Sequence, residues 1–297
     1  MGAQPESIGA PSYKMSDSLL YVVNFVTDTD ELGDVAIYDA RTKNSKPIAI
    51  ITDGIDQPGG DCIDAAGTLY VTNTASGNVA EYPPGKTKPL QYITQGRGIP
   101  AACAIDGKGN LWVAAIFDVI EYIKGSNHPH KFIENGVTWA NSVAFDHRGD
   151  MYVGNLGDPY YKRPYNVQVY APGREAPSRT ITDRITWPVG TAVDADNTLY
   201  VANLLSTTSG MGCGNVEEFR AGEGRPFRTI TDEISGPSGL AFDASGRLYE
   251  ANGGINQCNS YIDLMLEFAH GSKTPSRRTI TIFRSPNGVA YYPPQLP

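Results

Sequence analysis

Two acidic residues stand in stretches that are otherwise apolar and typical of buried strands. Glu250 interrupts the run Leu248–Ala251, and Asp61 follows two glycines in another strand-like stretch. A carboxylate buried between sheets needs a partner or takes a raised pKa. General acid-base catalysis uses such perturbed groups, so Glu250 and Asp61 are candidate catalytic residues. The alternative is that each carboxylate forms a salt bridge with a nearby Arg or Lys.

Aromatic side chains that suit ligand binding are concentrated in one part of the chain. Trp139 and Trp187 each open a strand-like segment, and a long loop with Tyr160 and Arg163 lies between them. Long loops and aromatic residues on one side of a protein form partly apolar clefts, the usual shape of a small-molecule site. We predict that these four residues bind a ligand. Alternatively, the two tryptophans fill gaps between neighbouring sheets.

A repeated segment must position all these residues. Pro58–Asn73 has the pattern of a strand, a tight turn and a second strand. The pattern returns four more times at steps of 40–49 residues, and each step has room for two further short strands. Such a period predicts the blades of a β-propeller. The turns are marked by five aspartates: Asp64, Asp106, Asp146, Asp194 and Asp243.

The two ends of the chain supply the parts of one more blade. Leu19–Asn24 is typical of a second strand without a first, and Ser285–Tyr292 of a first strand without a second. Their pairing would close the ring and remove an exposed sheet edge, which an open solenoid would leave. We therefore predict an all-β, six-bladed β-propeller of four-stranded blades over residues 19–297. Residues 1–18 are predicted to be a flexible leader.

The predicted ring sorts the candidate residues by face. We number as blade one the blade that holds both chain ends, and blades two to six follow in chain order. The loops after second and fourth strands share the loop face, and the hairpins share the opposite hairpin face. Asn141 and Asn287, at the x of the P-x-G motif, are expected at the loop-face mouth of the channel as ligand-binding residues. Glu250 and Asp61 are expected to flank blade one. All four histidines fall on the hairpin face, which disfavours a histidine-based centre in the channel.

The P-x-G-x-A-x-D-x-x-G-x-L-Y-V-x-N pattern resembles that of NHL-repeat proteins and the SMP-30/gluconolactonase-like six-bladed propellers, over nearly the whole chain from Leu19. The pattern is specific for the fold rather than for an activity. For SMP-30-like hydrolases the resemblance implies a divalent metal in the channel, held by Glu and by Asn or Asp at the x of P-x-G. Here Asn141 and Asn287 match that ligand type, Asp61 is a third candidate, and Glu250 would be the base. The E-G-P motif is absent, so the implied Ca²⁺ or other divalent metal site is incomplete.

Charge and composition exclude some partners. The net charge of −8 and a pI near 5 argue against nucleic acid. No apolar run approaches the roughly 18–20 residues of a membrane span. We expect a monomer. The polar residues 1–17 suggest a chain that starts after a removed signal peptide, which predicts a secreted or periplasmic protein.

The four cysteines fall into two pairs. Cys213 and Cys258 follow second strands in adjacent blades, so we predict a disulfide between them. Cys62 and Cys103 lie in innermost strands of neighbouring blades, one residue out of register relative to their turn aspartates. Because a one-residue offset points side chains to opposite sheet faces, we expect these two to be buried thiols.

Three functions stay open at this point. The first is a protein that binds a small molecule or a peptide on its loop face. The second is a metal-dependent hydrolase or lactonase of the SMP-30-like kind, and the third is a scaffold for protein partners. Two of the six x positions carry a suitable metal ligand, and this mismatch favours the first function.

Overall fold

The computed structural model describes residues 12–16, 18–25, 32–42, 46–94, 98–157, 164–204, 213–253, 264–280 and 285–295, without the side chains of 278–280. Every regular element among these residues is a β-strand, and the strands form six four-stranded antiparallel sheets. The predicted all-β, six-bladed propeller is confirmed.

Each blade runs outward from the channel in four strands. Blade one is β24-β1-β2-β3, and its strands are β1 (Leu19–Asn24), β2 (Asp34–Asp39), β3 (Ala49–Ile51) and β24 (Pro286–Tyr292). The strands of blades two and three are β4 (Pro58–Ile63), β5 (Leu69–Asn73), β6 (Asn78–Tyr82), β7 (Gln91–Thr94), β8 (Ala102–Ile105), β9 (Leu111–Ala114), β10 (Val119–Tyr122) and β11 (Lys131–Ile133). Those of blades four and five are β12 (Ala140–Phe145), β13 (Met151–Asn155), β14 (Asn166–Tyr170), β15 (Arg179–Ile181), β16 (Pro188–Val193), β17 (Leu199–Asn203), β18 (Asn215–Phe219) and β19 (Arg228–Ile230). Blade six contains β20 (Pro237–Phe242), β21 (Leu248–Asn252), β22 (Leu264–Phe268) and β23 (Arg277–Ile280).

The chain ends close the ring as predicted. Val22 of β1 lies opposite Val289 of β24, so the last strand forms the innermost strand of the first blade. Each innermost strand packs beside the innermost strands of both neighbouring blades. The pairing of the two chain ends therefore completes the sixth four-stranded sheet, and neither terminal strand is left alone.

The repeated turn explains why each inner hairpin forms. Asp64 Oδ1 accepts the backbone N–H groups of Ala66 at 2.9 Å and Thr68 at 2.8 Å. Gly67 has a φ of 88°, a left-handed conformation that glycine adopts without a steric penalty. The other turn aspartates accept the same two backbone bonds, so one local signal sets the register of five hairpins.

The P-x-G motif forms a bulge in the innermost strand. In blade two Pro58 pairs with Asn73 and Gly60 with Thr72, so the residue between them has no partner in the ladder. Blade four repeats this with Ala140 and Ser142, which leaves Asn141 as the extra residue. A bulge of this kind re-aims a side chain beside a site. It explains how the x residues come to line the channel mouth.

Cys62 and Cys103 form a disulfide, with their Cα atoms 5.6 Å apart, so the prediction of two buried thiols was wrong. The offset by one residue does point the two side chains to opposite faces of their own sheets. However, neighbouring blades turn opposite faces toward each other, and Cys62 packs in the layer between blades two and three with Cys103. The offset is therefore what brings the two sulfurs together. Cys213 is also disulfide-bonded, and its predicted partner Cys258 lies outside the described residues.

Part of the segment that we predicted to be a leader packs against the ring. The Tyr13 backbone N–H donates to Gly85 O at 2.9 Å, and the Tyr13 hydroxyl lies 2.9 Å from that of Tyr21. Met15 packs in the same hydrophobic cluster. Residues 12–16 thus lie along the hairpin side of blades one and two.

Candidate functional site

The innermost strands bring six equivalent residues to one level of the central channel, between a cavity at the loop face and one at the hairpin face. We call this level the waist. Among its residues, all of them described, Asp61 alone has a carboxyl group. The waist residues are Asp61, Cys103, Val143, Thr191, Leu240 and Val289.

Asp61 lines the channel and carries an unpaired, buried carboxylate. Neither carboxylate oxygen has a hydrogen-bond partner among the described residues, and both are shielded from solvent. Oδ1 lies 2.9 Å from the point that a Cβ of Gly288 would occupy, so the glycine makes room for it. Burial raises the pKa of Asp61 well above its usual value. The site therefore offers a strong acceptor that its own neighbours do not use.

Asn141 and Asn287 stand at the loop-face mouth on blades four and one. Asn141 Nδ2 donates to Val189 O at 3.3 Å, and Asn287 Nδ2 donates to Gly59 O at 2.8 Å. Each amide is thus oriented by the backbone of the next blade, and its Oδ1 is the atom left for a ligand. Both residues line the same cavity as Asp61. The structure therefore brings together Asp61, Asn287 and Asn141 around one mouth.

The cavities at the two ends of the channel differ in volume. The loop-face cavity measures about 80 Å³, and the one at the hairpin face about 160 Å³. Pro294 and Gln295 of the C-terminal segment line the hairpin end. The loop-face cavity has room for about two or three water molecules, or for one small polar group of a larger ligand.

Glu250 lies away from this channel. It is fully buried, and it pairs in register with Leu240 and Leu266. Those leucines pack against Tyr200 and Ala202, so this face of blade six is turned toward blade five. Asp61 pairs with Val71, on the face of blade two turned toward blade one.

The structure therefore does not bring Glu250 together with Asp61 or Asn287, and Glu250 lines neither end of the channel. Both of its carboxylate oxygens are buried without a hydrogen-bond partner among the described residues. Burial raises its pKa well above the usual value for glutamate. A role for Glu250 as a base stays a prediction, and the geometry gives it no path to a ligand in the channel.

Apolar side chains surround the mouth on the side of blades three to five. Trp139 is 42% exposed, Trp187 is 37% exposed, and Trp187 stacks on Tyr165 with ring centroids 6.2 Å apart. Tyr160 and Arg163, predicted to bind ligand beside them, lie outside the described residues. Because more than a third of each tryptophan side chain is exposed, packing between blades does not bury either of them completely.

Sequence reasoning missed one part of this surface. Phe117 is 68% exposed, and Ala140 N bonds to Ile116 O at 2.7 Å, which places Phe117 beside Trp139. The available signal was an aromatic residue at the tip of a very short loop, where polar residues are usual. We call the set of exposed loop-face side chains Ile99, Phe117, Trp139 and Trp187 the apolar rim.

The donors around the channel do not fit a tightly held divalent metal. Among the described residues, no group of three or more His, Cys, Asp or Glu side chains could hold a metal ion. The channel lining supplies one carboxylate, and its two amides stand on opposite blades. Calcium takes six to eight oxygen ligands, usually with several carboxylates. We therefore derive no chemistry through a metal at this site.

Comparison with known proteins supports the fold. No protein-family model and no curated protein sequence matches the chain. A protein of unknown function from Bacteroides caccae superposes with a TM-score of 0.70 at 14% identity, over 93% of this chain and 99% of that one. A chain of a nidogen/laminin complex gives 0.69 at 12% identity, over 92% and 98%. Hydrazine synthase of Kuenenia stuttgartiensis gives 0.58 at 16% identity, over 90% and 80%. At these identities the similarity shows the propeller fold alone, and the resemblance to NHL-repeat and SMP-30-like proteins stays a prediction.

Proposed function

We propose that this propeller is a binding protein whose loop face takes a small molecule or a peptide that carries a cationic group. The ammonium or guanidinium group would enter the channel mouth, and the rest of the ligand would lie on the apolar rim. A propeller fits a binding or scaffold role, because its channel and loops form a concave surface on a rigid ring.

The unpaired carboxylate of Asp61 is the observation that carries this proposal. A buried acidic group without a partner is costly, and perturbed groups of this kind cluster at functional sites. Asp61, unlike Glu250, also lines the channel. The loop-face cavity of about 80 Å³ admits one charged group rather than a whole ligand. The net charge of −8 further favours the approach of a cation.

The apolar rim supports the second half of the proposal. Phe117 and Trp139 are exposed beside each other next to the mouth. Exposed aromatic residues grouped around a cavity mark binding surfaces, since isolated ones are common but grouped ones are not. A peptide with a Lys or Arg next to an apolar residue would satisfy both features.

We further propose that the protein works in an oxidising compartment, secreted or periplasmic. The Cys62–Cys103 disulfide and the bonded state of Cys213 support this location, because disulfides are rare in reducing compartments. Separately, none of the described residues belongs to a helix that is long and apolar enough to cross a membrane.

Asp61→Asn should abolish the response of the protein to cationic probes. The test is a thermal shift series with butylammonium, methylguanidinium and a short Lys- or Arg-containing peptide, beside butanol and methylurea as uncharged analogues. We expect cationic probes to raise the melting temperature of the natural protein by a few degrees, because a ligand at a hundredfold its Kd adds about 2.7 kcal/mol. The variant should show no rise.

Thr191→Val is the matched control for this series. Thr191 stands at the same waist on the opposite blade, and its hydroxyl is also buried without a hydrogen-bond partner among the described residues. The control should keep the response to cations. Equal shifts in the natural protein and in Asp61→Asn, or no shift with any cation, would overturn the proposal. A rise with Ca²⁺ that needs Asp61 would favour the metal-dependent alternative instead.

Binding of the cationic probe should strengthen as the pH rises. Burial raises the pKa of Asp61, so its carboxyl keeps its proton to a higher pH than an exposed aspartate does. Only the ionised carboxylate attracts a cation. Affinity should therefore be low while the carboxyl keeps its proton and increase as the pH rises through the raised pKa. Calorimetric titrations at pH 5, 6, 7 and 8 would measure the trend, and a flat or falling affinity would contradict it.

A further inference from the structure

We propose a second ligand site between blades three and four on the hairpin face, which takes an aromatic zwitterion of the amino-acid type. A cavity of about 520 Å³ opens there, on the side of the ring opposite the channel mouth. Its size falls in the range of small-molecule sites. It has three parts: an acidic floor, apolar walls and a basic rim.

The acidic floor comes from a departure from the repeat. In several blades a glutamate of the third strand lies directly opposite a donor of the fourth strand, on the face turned toward the next blade. In blades two, five and six that donor holds the carboxylate. The pairs are Glu81 with Gln91 at 2.8 Å, Glu218 with Arg228 at 2.6 Å and Glu267 with Arg277 at 3.6 Å.

In blade three the donor turns away from its glutamate. Lys131 is the residue opposite Glu121, but its Nζ lies 3.7 Å from the carboxylate of Glu175 in blade four. Glu121 is 8% exposed, and one of its oxygens, Oε1, accepts from Asn110 Nδ2 at 3.3 Å. The second oxygen, Oε2, is left to the cavity that Glu121 lines.

The neighbouring polar groups are already engaged, so they cannot replace a ligand at Glu121. Asp106 Oδ2 accepts from Asn110 Nδ2 at 3.0 Å and from Trp112 Nε1 at 3.1 Å. Asn110 Oδ1 accepts from Lys124 N at 3.1 Å. This network fixes the floor and leaves Glu121 as the group that would receive a cationic donor.

The walls and the rim define the rest of the ligand. Trp112 and Phe145 lie with ring centroids 5.6 Å apart, and both line the cavity with further apolar residues. An aromatic ring packs well on such walls. Three basic or ionisable side chains stand at the rim and favour a carboxylate, beside the Lys131 that pairs with Glu175: Lys108, His130 and Arg174.

A ligand with an ammonium group, an aromatic ring and a carboxylate matches all three parts. The test uses L-tryptophan, tryptamine and indole-3-propionate as probes, with Kd measured by calorimetry or ligand-observed NMR. L-Tryptophan has both charges, tryptamine lacks the carboxylate, and indole-3-propionate lacks the amine. We expect L-tryptophan to bind more tightly than either single-charge probe, by tenfold or more.

Two variants separate the charges. Glu121→Gln should weaken L-tryptophan and tryptamine at least tenfold and leave indole-3-propionate unchanged or tighter. Arg174→Gln, at the exposed rim, should weaken L-tryptophan and indole-3-propionate severalfold and leave tryptamine unchanged. Glu81→Gln is the matched control, because Gln91 already engages that carboxylate in blade two, and it should change no Kd.

Several results would overturn this site. One is that none of the three probes binds below 10 mM, and another is that Glu81→Gln changes Kd as much as Glu121→Gln. If the Glu121→Gln variant does not fold, the Arg174→Gln variant becomes the test. The proposal is then wrong if Arg174→Gln binds indole-3-propionate as tightly as the natural protein does. Because the proposed mouth at Asp61 would also take the ammonium of tryptamine, all three affinities are measured in the Asp61→Asn background, where the differences caused by Glu121→Gln and Arg174→Gln should persist.

Discussion

The double variant Cys62→Ala, Cys103→Ala should melt on the order of 10 °C below the natural protein. The disulfide joins residues 41 apart in sequence. In the chain-entropy account, a cross-link over such a loop stabilises the folded state by about 4 kcal/mol, because it restricts the unfolded chain. For a chain of this size each kcal/mol corresponds to roughly 2–4 °C. Scanning calorimetry of both proteins measures the difference.

The position of the bridge adds to this effect. Cys62 lies on β4 and Cys103 on β8, so the bond fixes two neighbouring innermost strands together. Asp61 directly precedes Cys62, and Cys103 belongs to the waist itself. Loss of the bridge should therefore also weaken cation binding at the mouth, even at temperatures where the ring stays folded.

A reducing agent gives the control for the double variant. Cys213 is bonded as well, so reduction of the natural protein opens more than the Cys62–Cys103 bridge. Reduction should lower the melting temperature less in the double variant than in the natural protein. The difference should equal about the fall in melting temperature that the two mutations cause without reduction. A melting temperature within 1 °C of the natural protein, or alkylation of Cys62 and Cys103 without prior reduction, would refute the bridge.

Local signals made the fold predictable from the sequence. The turn Asp64–Thr68 specifies one inner hairpin, and copies of it recur at a propeller period. Each step of the repeat has room for two further strands, and the structure places them there, as Asn78–Tyr82 and Gln91–Thr94 show in blade two. The complementary strands at Leu19 and Tyr292 fixed the number of blades. Each of these signals needs only a few neighbouring residues, so one sequence suffices.

The candidate site was less predictable, because it depends on which neighbouring blade each sheet face packs against. The pattern correctly made Glu250 a buried strand residue. It did not say that Glu250 faces blade five while Asp61 faces blade one, and that difference separates them. The Cys62–Cys103 bond was missed for the same reason. Alternation along a strand gives two faces, and only the order of blades around the ring says what lies opposite each.

The cavity between blades three and four was beyond the sequence for another reason. Lys131 occupies the same position as Arg228 and Arg277, and the repeat would pair it with Glu121. A long flexible side chain can reach more than one carboxylate, and the ammonium group of Lys131 lies beside Glu175 instead. Periodicity predicts backbone positions, but it does not predict which of two ion pairs forms.

Glu250→Val should raise the melting temperature by several degrees at pH 8. The buried carboxylate has no hydrogen-bond partner among the described residues, and a buried polar group left unpaired costs about 1–3 kcal/mol or more when charged. Valine occupies the equivalent position in the other blades, and the surroundings of Glu250 are apolar leucines and alanines. The substitution therefore removes a penalty without leaving a large cavity.

The size of this gain should depend on pH, with a definite sign. Burial raises the folded-state pKa of Glu250 above the unfolded value of 4.5. Stability from the tightly held proton is thus fully present below about pH 4.5 and is lost as the pH rises through the folded pKa. The Glu250→Val variant does not lose stability in this way, so its advantage over the natural protein should grow as the pH rises from 5 and level off above the folded-state pKa.

Glu250→Gln serves as the comparison for the same experiment. Glutamine keeps the shape and a buried polar group but cannot ionise, so it should cancel the pH dependence and gain less stability than valine. Glu218, whose pKa is also raised by burial, lies on the same side of blade five as Tyr200 and contributes equally to all three proteins. A lower melting temperature for Glu250→Val at pH 8 would mean that the carboxylate has a stabilising partner, and would restore the ion-pair alternative that the sequence first allowed.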